Sequence, residues 1–128
     1  MVRIIVSVIL ALHGLIHLLG FVVYLKIAEV KDLPYKTTIF AGRINLGESG
    51  IKVIGILWML AALGFVVSTV GVFGLTGWWQ AVTLYVTIFS LLVTVSGIPD
   101  SVFGAAVNVI ILAYLILAPK LSFIPLPE

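Results

Sequence analysis

The chain has 128 residues, of which 62% are hydrophobic and 9% are charged, and it contains no cysteine. Soluble domains carry about 25% charged residues, and a chain of this length cannot bury so much apolar surface away from water, so the composition excludes a soluble domain and favours lipid as the solvent. The formal net charge of +2 comes from basic residues between apolar segments rather than from a basic face, which argues against nucleic-acid binding, and the lack of cysteine excludes disulfides and thiolate chemistry.

Four continuous apolar segments follow one another along the chain. Each is long enough to cross a bilayer as a helix, which takes roughly 17–25 residues, although the fourth only just reaches that length. Because the apolar runs are continuous and do not alternate with polar residues, helices are favoured over the strands of a barrel. The sequence therefore predicts an all-α antiparallel bundle of four transmembrane helices forming a single membrane domain. The predicted spans are residues 2–26, 53–73, 78–98 and 102–118.

The first apolar segment carries both histidines of the chain, His13 and His17. Its apolar run of 22 residues, Ile4–Leu25, is longer than the roughly 7–15 residues of a signal peptide's apolar core, so we expect a retained spanning helix. Residues three and four apart share a helix face, which places both histidines on one face with Gly20 and Tyr24. Polar groups at this depth are costly in lipid, and burial disfavours the charged imidazolium form, so we expect this face to turn inward with both rings neutral.

The longest connection, residues 27–52, holds most of the basic residues. Five lie in it or at its border, whereas the opposite ends of the spans carry only Arg3 and Lys120. Because Lys and Arg near the span ends set orientation, the sequence predicts a multi-pass cell-membrane protein with this loop cytoplasmic and both termini outside. The loop glycines do not match a nucleotide-binding fingerprint, and we expect a solvated loop in which Arg43 and Glu48 are open to a partner. The five basic residues are Lys26, Lys31, Lys36, Arg43 and Lys52.

The later segments are joined by short connections, which make neighbouring helices antiparallel. A turn flanked by glycines, Gly74–Gly77, joins the second and third segments, and Pro99 ends the third because proline lacks an N–H. We expect Trp78 and Trp79 to lie at the membrane interface, where indole rings are enriched. The tail after residue 118 contains three prolines, so no helix is expected there.

Small and polar residues recur at helical spacing and mark the faces that are expected to pack together. In the fourth segment, Asn108 lies at about the depth of His17 when residues are counted from the span ends at about 1.5 Å each, which predicts that these two side chains are partners. Hydroxyl residues of the third segment bracket that depth, and Asp100 lies at the inner mouth of the same region. The candidate buried site therefore comprises His13, His17, Thr87, Ser90, Thr94, Asp100 and Asn108.

The candidate site leaves three functions open, and no enzyme motif narrows them, because the chain lacks the hydrolase, zinc-protease, kinase and phosphate-loop signatures. The first function is that of a structural or accessory membrane protein whose buried polar cluster ties its helices together. The second is that of a subunit binding haem, a quinone, or a metal ion held by His13 and His17 with further ligands. The third is an oligomeric channel or proton-coupled transporter, for which a second copy or another membrane-complex subunit would be the partner within the bilayer.

Several segments of the chain share a pattern with other small membrane proteins. They are residues 14–21 (GLIHLLGF), 55–62 (GILWMLAA), the pair at 78–79 (WW), 100–104 (DSVFG) and 108–112 (NVIIL). Together they resemble a group of small, uncharacterised four-helix integral membrane proteins of bacteria and archaea. The resemblance implies the four-helix fold and adds weight to His17, Asp100 and Asn108, but it implies no activity, substrate or cofactor. His13 lies outside the segments that carry this resemblance.

Overall fold

The computed structural model describes residues 1–128 and is helical apart from one short hairpin. The first three helices are long and apolar enough to cross a membrane, whereas the fourth is apolar but has only 16 residues. The predicted all-helical fold is therefore confirmed, and three of its helices have the length and composition of membrane spans. The helices are α1 (Val2–Tyr24), α2 (Gly47–Phe73), α3 (Trp79–Ser96) and α4 (Val102–Leu117).

Most helix ends fall within two residues of their predicted positions, but the start of α2 does not. It begins at Gly47, whereas the prediction was residue 53, so the connection that precedes it is shorter than the predicted 27–52 loop. The apolar run marks only the part of a helix that lies in lipid, and a helix continues beyond it when polar residues can face water. In this extension Ile51 is fully buried while Glu48 and Lys52 are exposed. At the other boundary α1 ends at Tyr24, and Lys26 has a φ of 57°, which no α-helix contains.

The loop between α1 and α2 contains a small antiparallel hairpin. Its strands are β1 (Thr38–Ile39) and β2 (Ile44–Asn45). The chain between them docks on the end of α3, where the Phe40 N–H donates to the Ser96 carbonyl (2.8 Å) and the Ala41 N–H donates to the Ile98 carbonyl (3.0 Å). Carbonyls at a helix C-terminus lack partners within the helix, so the loop supplies them. The loop, which the sequence predicts to be solvated, therefore packs in part against this end of the protein.

The helices pack mainly on their neighbours in sequence, α1 on α2, α2 on α3 and α3 on α4, while α1 and α4 touch at only a few positions. Close approach of α1 and α2 depends on glycine, since a Cβ at Gly20 would overlap the indole ring of Trp58 and one at Gly14 would press on Phe65. Small residues allow this approach between helices in lipid. The weak contact between α1 and α4 leaves a seam between these two helices.

Two apolar clusters fill most of the interior, and large apolar side chains also cover the outside of every helix. The distal apolar cluster lies at the end of the protein away from the α1–α2 loop, and the loop-side apolar cluster lies next to that loop. The distal apolar cluster consists of Leu10, Phe65, Val72, Trp79 and Ile111. The loop-side apolar cluster consists of Val23, Tyr24, Ile51, Trp58 and Val93.

Trp79, for which an interfacial position is predicted, is the first residue of α3 and belongs to the distal apolar cluster. It is 7% exposed and packs in the interior, whereas its neighbour Trp78 is 43% exposed. Adjacent residues on a helix point in directions about 100° apart, so two neighbouring tryptophans cannot both face the same surroundings.

Candidate functional site

Both histidines of α1 point into the protein, at the level between the two apolar clusters. His13 is 2% exposed and His17 is fully buried. They lie on one buried face of α1 with Gly20 and Tyr24, as the spacing predicts. Because an imidazole has polar atoms on both sides of its ring, each ring needs partners from the helices around it.

His13 is bonded to α4. Its Nε2 donates to Oδ1 of Asn108 (3.0 Å), and Nδ2 of Asn108 donates to Oγ1 of Thr94 on α3 (3.2 Å). The Thr94 hydroxyl donates in turn to the backbone carbonyl of Ser90 (3.0 Å). The chain of bonds therefore runs from α1 through α4 to α3, and each bond in it pairs one donor with one acceptor.

His17 is bonded to α3. Its Nδ1 lies 2.9 Å from the His13 carbonyl oxygen, and since a carbonyl only accepts, Nδ1 carries the proton. In the neutral ring Nε2 is then an acceptor, and it accepts a hydrogen bond from Oγ of Ser90 at 2.6 Å. The hydrogen-bonded set of His13, His17, Ser90, Thr94 and Asn108 is named the polar cluster from here on.

The predicted pairing of His17 with Asn108 is wrong, because Asn108 bonds His13 instead. The two histidines are four residues apart, which is about 6 Å along a helix. Counting residues from the ends of two helices locates a side chain to no better than one turn, since the helices end at different depths and tilt against each other. The prediction therefore found the right partner residue and assigned it to the wrong histidine.

Two of the predicted site residues lie outside the polar cluster. Thr87 is fully buried, but its hydroxyl donates to the Thr83 carbonyl of its own helix (2.6 Å) and bonds no other element. Asp100 lies at the loop end, where it accepts a hydrogen bond from Lys36 at 2.5 Å in an ion pair whose side chains are about one-fifth exposed. The structure therefore brings five of the seven predicted residues together.

Two aromatic residues of α2, neither of them among the predicted site residues, complete the surroundings. Phe65 packs edge-on to His13 with ring centres 4.8 Å apart, and Trp58 lies 5.1 Å from His17. Their spacing of seven residues places them on one face of α2. That spacing indicates that the two residues share a face, but it does not show that the face is buried, because an apolar residue of a membrane helix is equally stable facing lipid.

Two polar atoms near the polar cluster have no partner. They are Nδ1 of His13 and Nε1 of Trp58, both buried. The first stays unbonded whichever way the Asn108 amide is turned, because the amide contacts the other ring nitrogen. Further from the polar cluster, the hydroxyls of Ser7 and Thr83 are buried without partners in the distal half.

The seam between α1 and α4 contains two clefts. The loop-side crevice has a volume of about 200 Å³ and reaches His17, Thr94 and Trp58. The distal cleft, of about 340 Å³, is lined almost entirely by apolar side chains. The bond between His13 and Asn108 is the hydrogen bond that crosses the seam, and it lies between the two clefts.

The polar cluster has little capacity left for a cofactor. Three of its four imidazole nitrogens are bonded within the protein, and no group of three or more His, Asp or Glu side chains is placed to hold a metal ion. No protein-family model matches the chain, and neither the curated proteins nor the solved structures include one that is significantly similar. The geometry of these residues is therefore the basis for an inference about function.

Proposed function

We propose that this chain is an integral membrane protein with a structural or accessory role, in which the polar cluster joins α1 to α3 and α4. One observation carries this proposal: the two imidazoles of α1 bond two different helices with which α1 otherwise makes little contact. In lipid there is no hydrophobic force between helices, so packing and interhelical hydrogen bonds hold them together. The polar cluster supplies one directional bond across the α1–α4 seam, where the two helices pack weakly, and a second bond between α1 and α3.

We further propose that α4 crosses the membrane, giving four spans in a single domain. Its 16 residues extend over about 24 Å, less than the roughly 30 Å of an average hydrocarbon core. A short span is accommodated by local thinning of the bilayer at modest cost. The proposal is supported by the outward face of α4, where Phe103 and Ile110 are 84% and 67% exposed, because such a surface is stable in lipid.

The orientation that we propose has the α1–α2 loop in the cytoplasm and both termini outside. Five basic residues lie at the loop end and two at the other, and this bias sets orientation in short loops. Four spans place the loop and the C-terminal tail on opposite sides of the membrane, whereas three spans would place them on the same side.

The lack of cysteine makes this arrangement directly testable, because any introduced cysteine is the sole thiol. Ala28→Cys in the loop and Ser122→Cys in the tail are both at exposed positions. With a maleimide that cannot cross membranes, we expect intact cells to label only Ser122→Cys, and opened cells to label both. Labelling of both from one side would contradict a spanning α4, and labelling of Ala28→Cys alone would reverse the orientation.

A cofactor role for the polar cluster is tested on protein purified from membranes. We expect no Soret band and no stoichiometric metal, because three of the four imidazole nitrogens are already bonded, to Asn108, Ser90 and a backbone carbonyl. A Soret band or a bound metal that is lost in His17→Ala but kept in the exposed control Leu15→Ala would overturn the structural role in favour of cofactor binding.

The distal half of the interior argues against a channel through one copy of the chain. Beyond His13 the space is occupied by Leu10 and Phe65, which are 1% and 0% exposed. An apolar plug of this kind does not carry protons or ions. In vesicles containing a pH-sensitive dye we expect the protein to leave proton flux unchanged, and a flux that His17→Ala abolishes would contradict the structural proposal.

A further inference from the structure

The distal cleft, between α1 and α4, has the size of a ligand site and walls without exposed polar atoms. Its volume of about 340 Å³ lies within the roughly 300–1,000 Å³ of small-molecule pockets. Two hydroxyl side chains belong to its lining, yet neither presents polar surface to the cleft. The Tyr114 hydroxyl donates to the Pro125 carbonyl (2.8 Å), and the Thr83 hydroxyl is buried. An occupant therefore has to be hydrocarbon where it lies between these walls.

The cleft is elongated along the helix axes. Its lining on α1 extends from Val2 to Leu10, which is about 12 Å at 1.5 Å per residue, and on α4 from Ile110 to Leu115. Membrane-spanning helices lie within about 20° of the bilayer normal on average, which is also the mean direction of lipid chains. The cleft therefore suits an extended aliphatic chain better than a compact ring.

Neither water nor the C-terminal tail fills the cleft. Apolar cavities stay dry, and walls that face an empty space lose dispersion contacts, so an apolar occupant is favoured over water or a void. The tail forms part of the wall, because Pro125 is held there by Tyr114 and Leu126 packs against the distal apolar cluster. The occupant therefore comes from outside these residues.

The opening of the cleft indicates where that occupant comes from. Ile5, Ile9 and Ile110 belong to the lining and are also 51%, 46% and 67% exposed on the outside of the protein. Since α1 and α4 touch at only a few positions, the cleft is open sideways along the seam. In the arrangement proposed above, that side faces the hydrocarbon of the bilayer.

Basic residues lie at the same end of the protein as the cleft. Arg3 follows Val2 of the lining, and Lys120 lies in the turn after α4, where it is exposed. Neither belongs to an ion pair, and Glu128, the acidic residue of the tail, pairs with neither. Lys and Arg near a membrane surface attract anionic lipid, so this end of the protein complements a lipid phosphate.

We propose that the distal cleft binds one acyl chain of a membrane phospholipid, whose phosphate lies at the membrane surface near Arg3 and Lys120. The inference rests on the membrane setting of the proposed function. The bound chain fills the seam on the distal side of the bond between His13 and Asn108. It thus supplies packing between α1 and α4 that the two helices do not supply by direct contact.

The first test counts lipids on the full chain by native mass spectrometry, after extraction from dioleoylphosphatidylglycerol vesicles into mild detergent. We expect the unmodified chain to retain one lipid. Ile9→Trp places a bulky ring at the opening of the cleft and is expected to lose that lipid. Leu63→Trp, at a position 53% exposed on α2 and outside the cleft, is the matched control and should keep it.

Three outcomes of this test would overturn the proposal. They are the absence of a retained lipid on the unmodified chain, equal retention in Ile9→Trp and Leu63→Trp, and a lipid-free dimer that Ile9→Trp dissociates. The last would show that a second copy of the chain covers the cleft. Thermal melting of both variants checks that each is folded.

The second test uses the unmodified chain and so does not depend on the folding of a variant. Phosphatidylglycerol with a photoreactive group in its acyl chain is bound, excess lipid is removed in detergent, and the labelled peptides are mapped. We expect label around Ile5, Ile9 and Ile110. Dioleoylglycerol, which has the same chains without the phosphate, should compete weakly. Label spread evenly over the outward faces, α2 near Leu63 included, would overturn the site, and equal competition by dioleoylglycerol would overturn the phospholipid assignment.

These outcomes are separable from those of the proposed function. Cysteine labelling reports the number of spans and their orientation without any ligand, and the absorption spectrum reports on the polar cluster. A four-span protein that retains no phospholipid would refute only the proposal for the distal cleft. A protein whose loop and tail are labelled from the same side would refute the four-span arrangement, whatever it binds.

Discussion

The polar cluster and the distal apolar cluster both join α1, α3 and α4, at two levels and by different interactions. At the level of the polar cluster, side chains of α1, α3 and α4 are joined by hydrogen bonds of 2.6 to 3.2 Å. In the distal apolar cluster five side chains meet by packing alone, and the hydroxyls of Ser7 and Thr83 nearby have no partner. The polar cluster joins its helices by directional hydrogen bonds, and the distal apolar cluster joins its helices by close packing.

This difference shows what each region contributes. Apolar packing in lipid gains the dispersion energy of close contact but fixes helix rotation weakly, because lipid tails are as apolar as the side chains they replace. Hydrogen bonds from His13 and His17 form in only one rotation of α1, since an unbonded imidazole in the interior costs free energy. We therefore expect the distal apolar cluster to supply more stability and the polar cluster to specify the arrangement.

The largest loss of stability is expected for Phe65→Ala. Phe65 is fully buried, belongs to the distal apolar cluster and also contacts both histidine rings. Removing it leaves a cavity that costs about 3 kcal/mol of the free energy of unfolding, measured by titration from mild detergent into a denaturing one. The control Val66→Ala, at a position 57% exposed, should change little, and equal losses in both variants would contradict the inward packing.

Gly20→Ala is expected to cost somewhat less. Its new Cβ would overlap the Trp58 ring and force α1 and α2 apart, an overpacking effect of about 2 kcal/mol. Gly77→Ala is the matched control, because nothing lies within 4 Å of a Cβ there. Equal losses of unfolding free energy in Gly20→Ala and Gly77→Ala would contradict the close approach of α1 and α2 at Gly20.

Asn108→Leu tests the bond across the seam. It removes the partners of His13 and Thr94, and interhelical hydrogen bonds in membrane proteins are worth on average about 0.6 kcal/mol each, so we expect a loss of about 1 kcal/mol. A double-mutant cycle with His13→Leu should give a coupling of about 0.6 kcal/mol. A coupling of zero would show that the two side chains are not partners.

A matched pair of Thr→Val substitutions sharpens the comparison between the two regions. The Thr94 hydroxyl accepts from Asn108, and its loss should destabilise the protein by about 0.5 to 1 kcal/mol. The Thr83 hydroxyl is buried without a partner, so its removal should be neutral or stabilising. Thermal melting in detergent is sufficient, since the signs differ. If Thr83→Val destabilised the protein as much as Thr94→Val, the distinction between a bonded hydroxyl in the polar cluster and an unpartnered one in the distal half would be contradicted.

The smallest effect is expected at the loop. Lys36→Gln breaks the partly buried ion pair with Asp100 and should cost about 0.5 kcal/mol at low salt and less at high salt. Lys26→Gln breaks the well-exposed pair with Glu48 and should have no measurable effect in the same melting experiment. A Lys26→Gln loss exceeding that of Lys36→Gln would contradict the docking of the loop on the α3–α4 turn.

The sequence by itself determined the helical elements and the inward direction of the histidines. In lipid a spanning segment must have its backbone hydrogen bonds satisfied, as they are within an apolar helix, and an imidazole facing the acyl chains is costly. The four apolar segments and the shared face of His13 and His17 follow from these two constraints. The same constraints placed Ser90, Thr94 and Asn108 on inner faces, because their polar groups also seek partners.

Only the tertiary structure decided which partners meet and which apolar residues are inside. An apolar side chain is about equally stable against lipid or against another helix, so nothing local distinguished the buried Phe65 and Trp79 from exposed neighbours. The match of Asn108 with His13 instead of His17 depends on one helical turn of relative depth, which is set by tilt and by the close packing of α1 on α2. The loop-side crevice likewise exists only because α1 and α4 remain apart, and no property of either helix alone requires that separation.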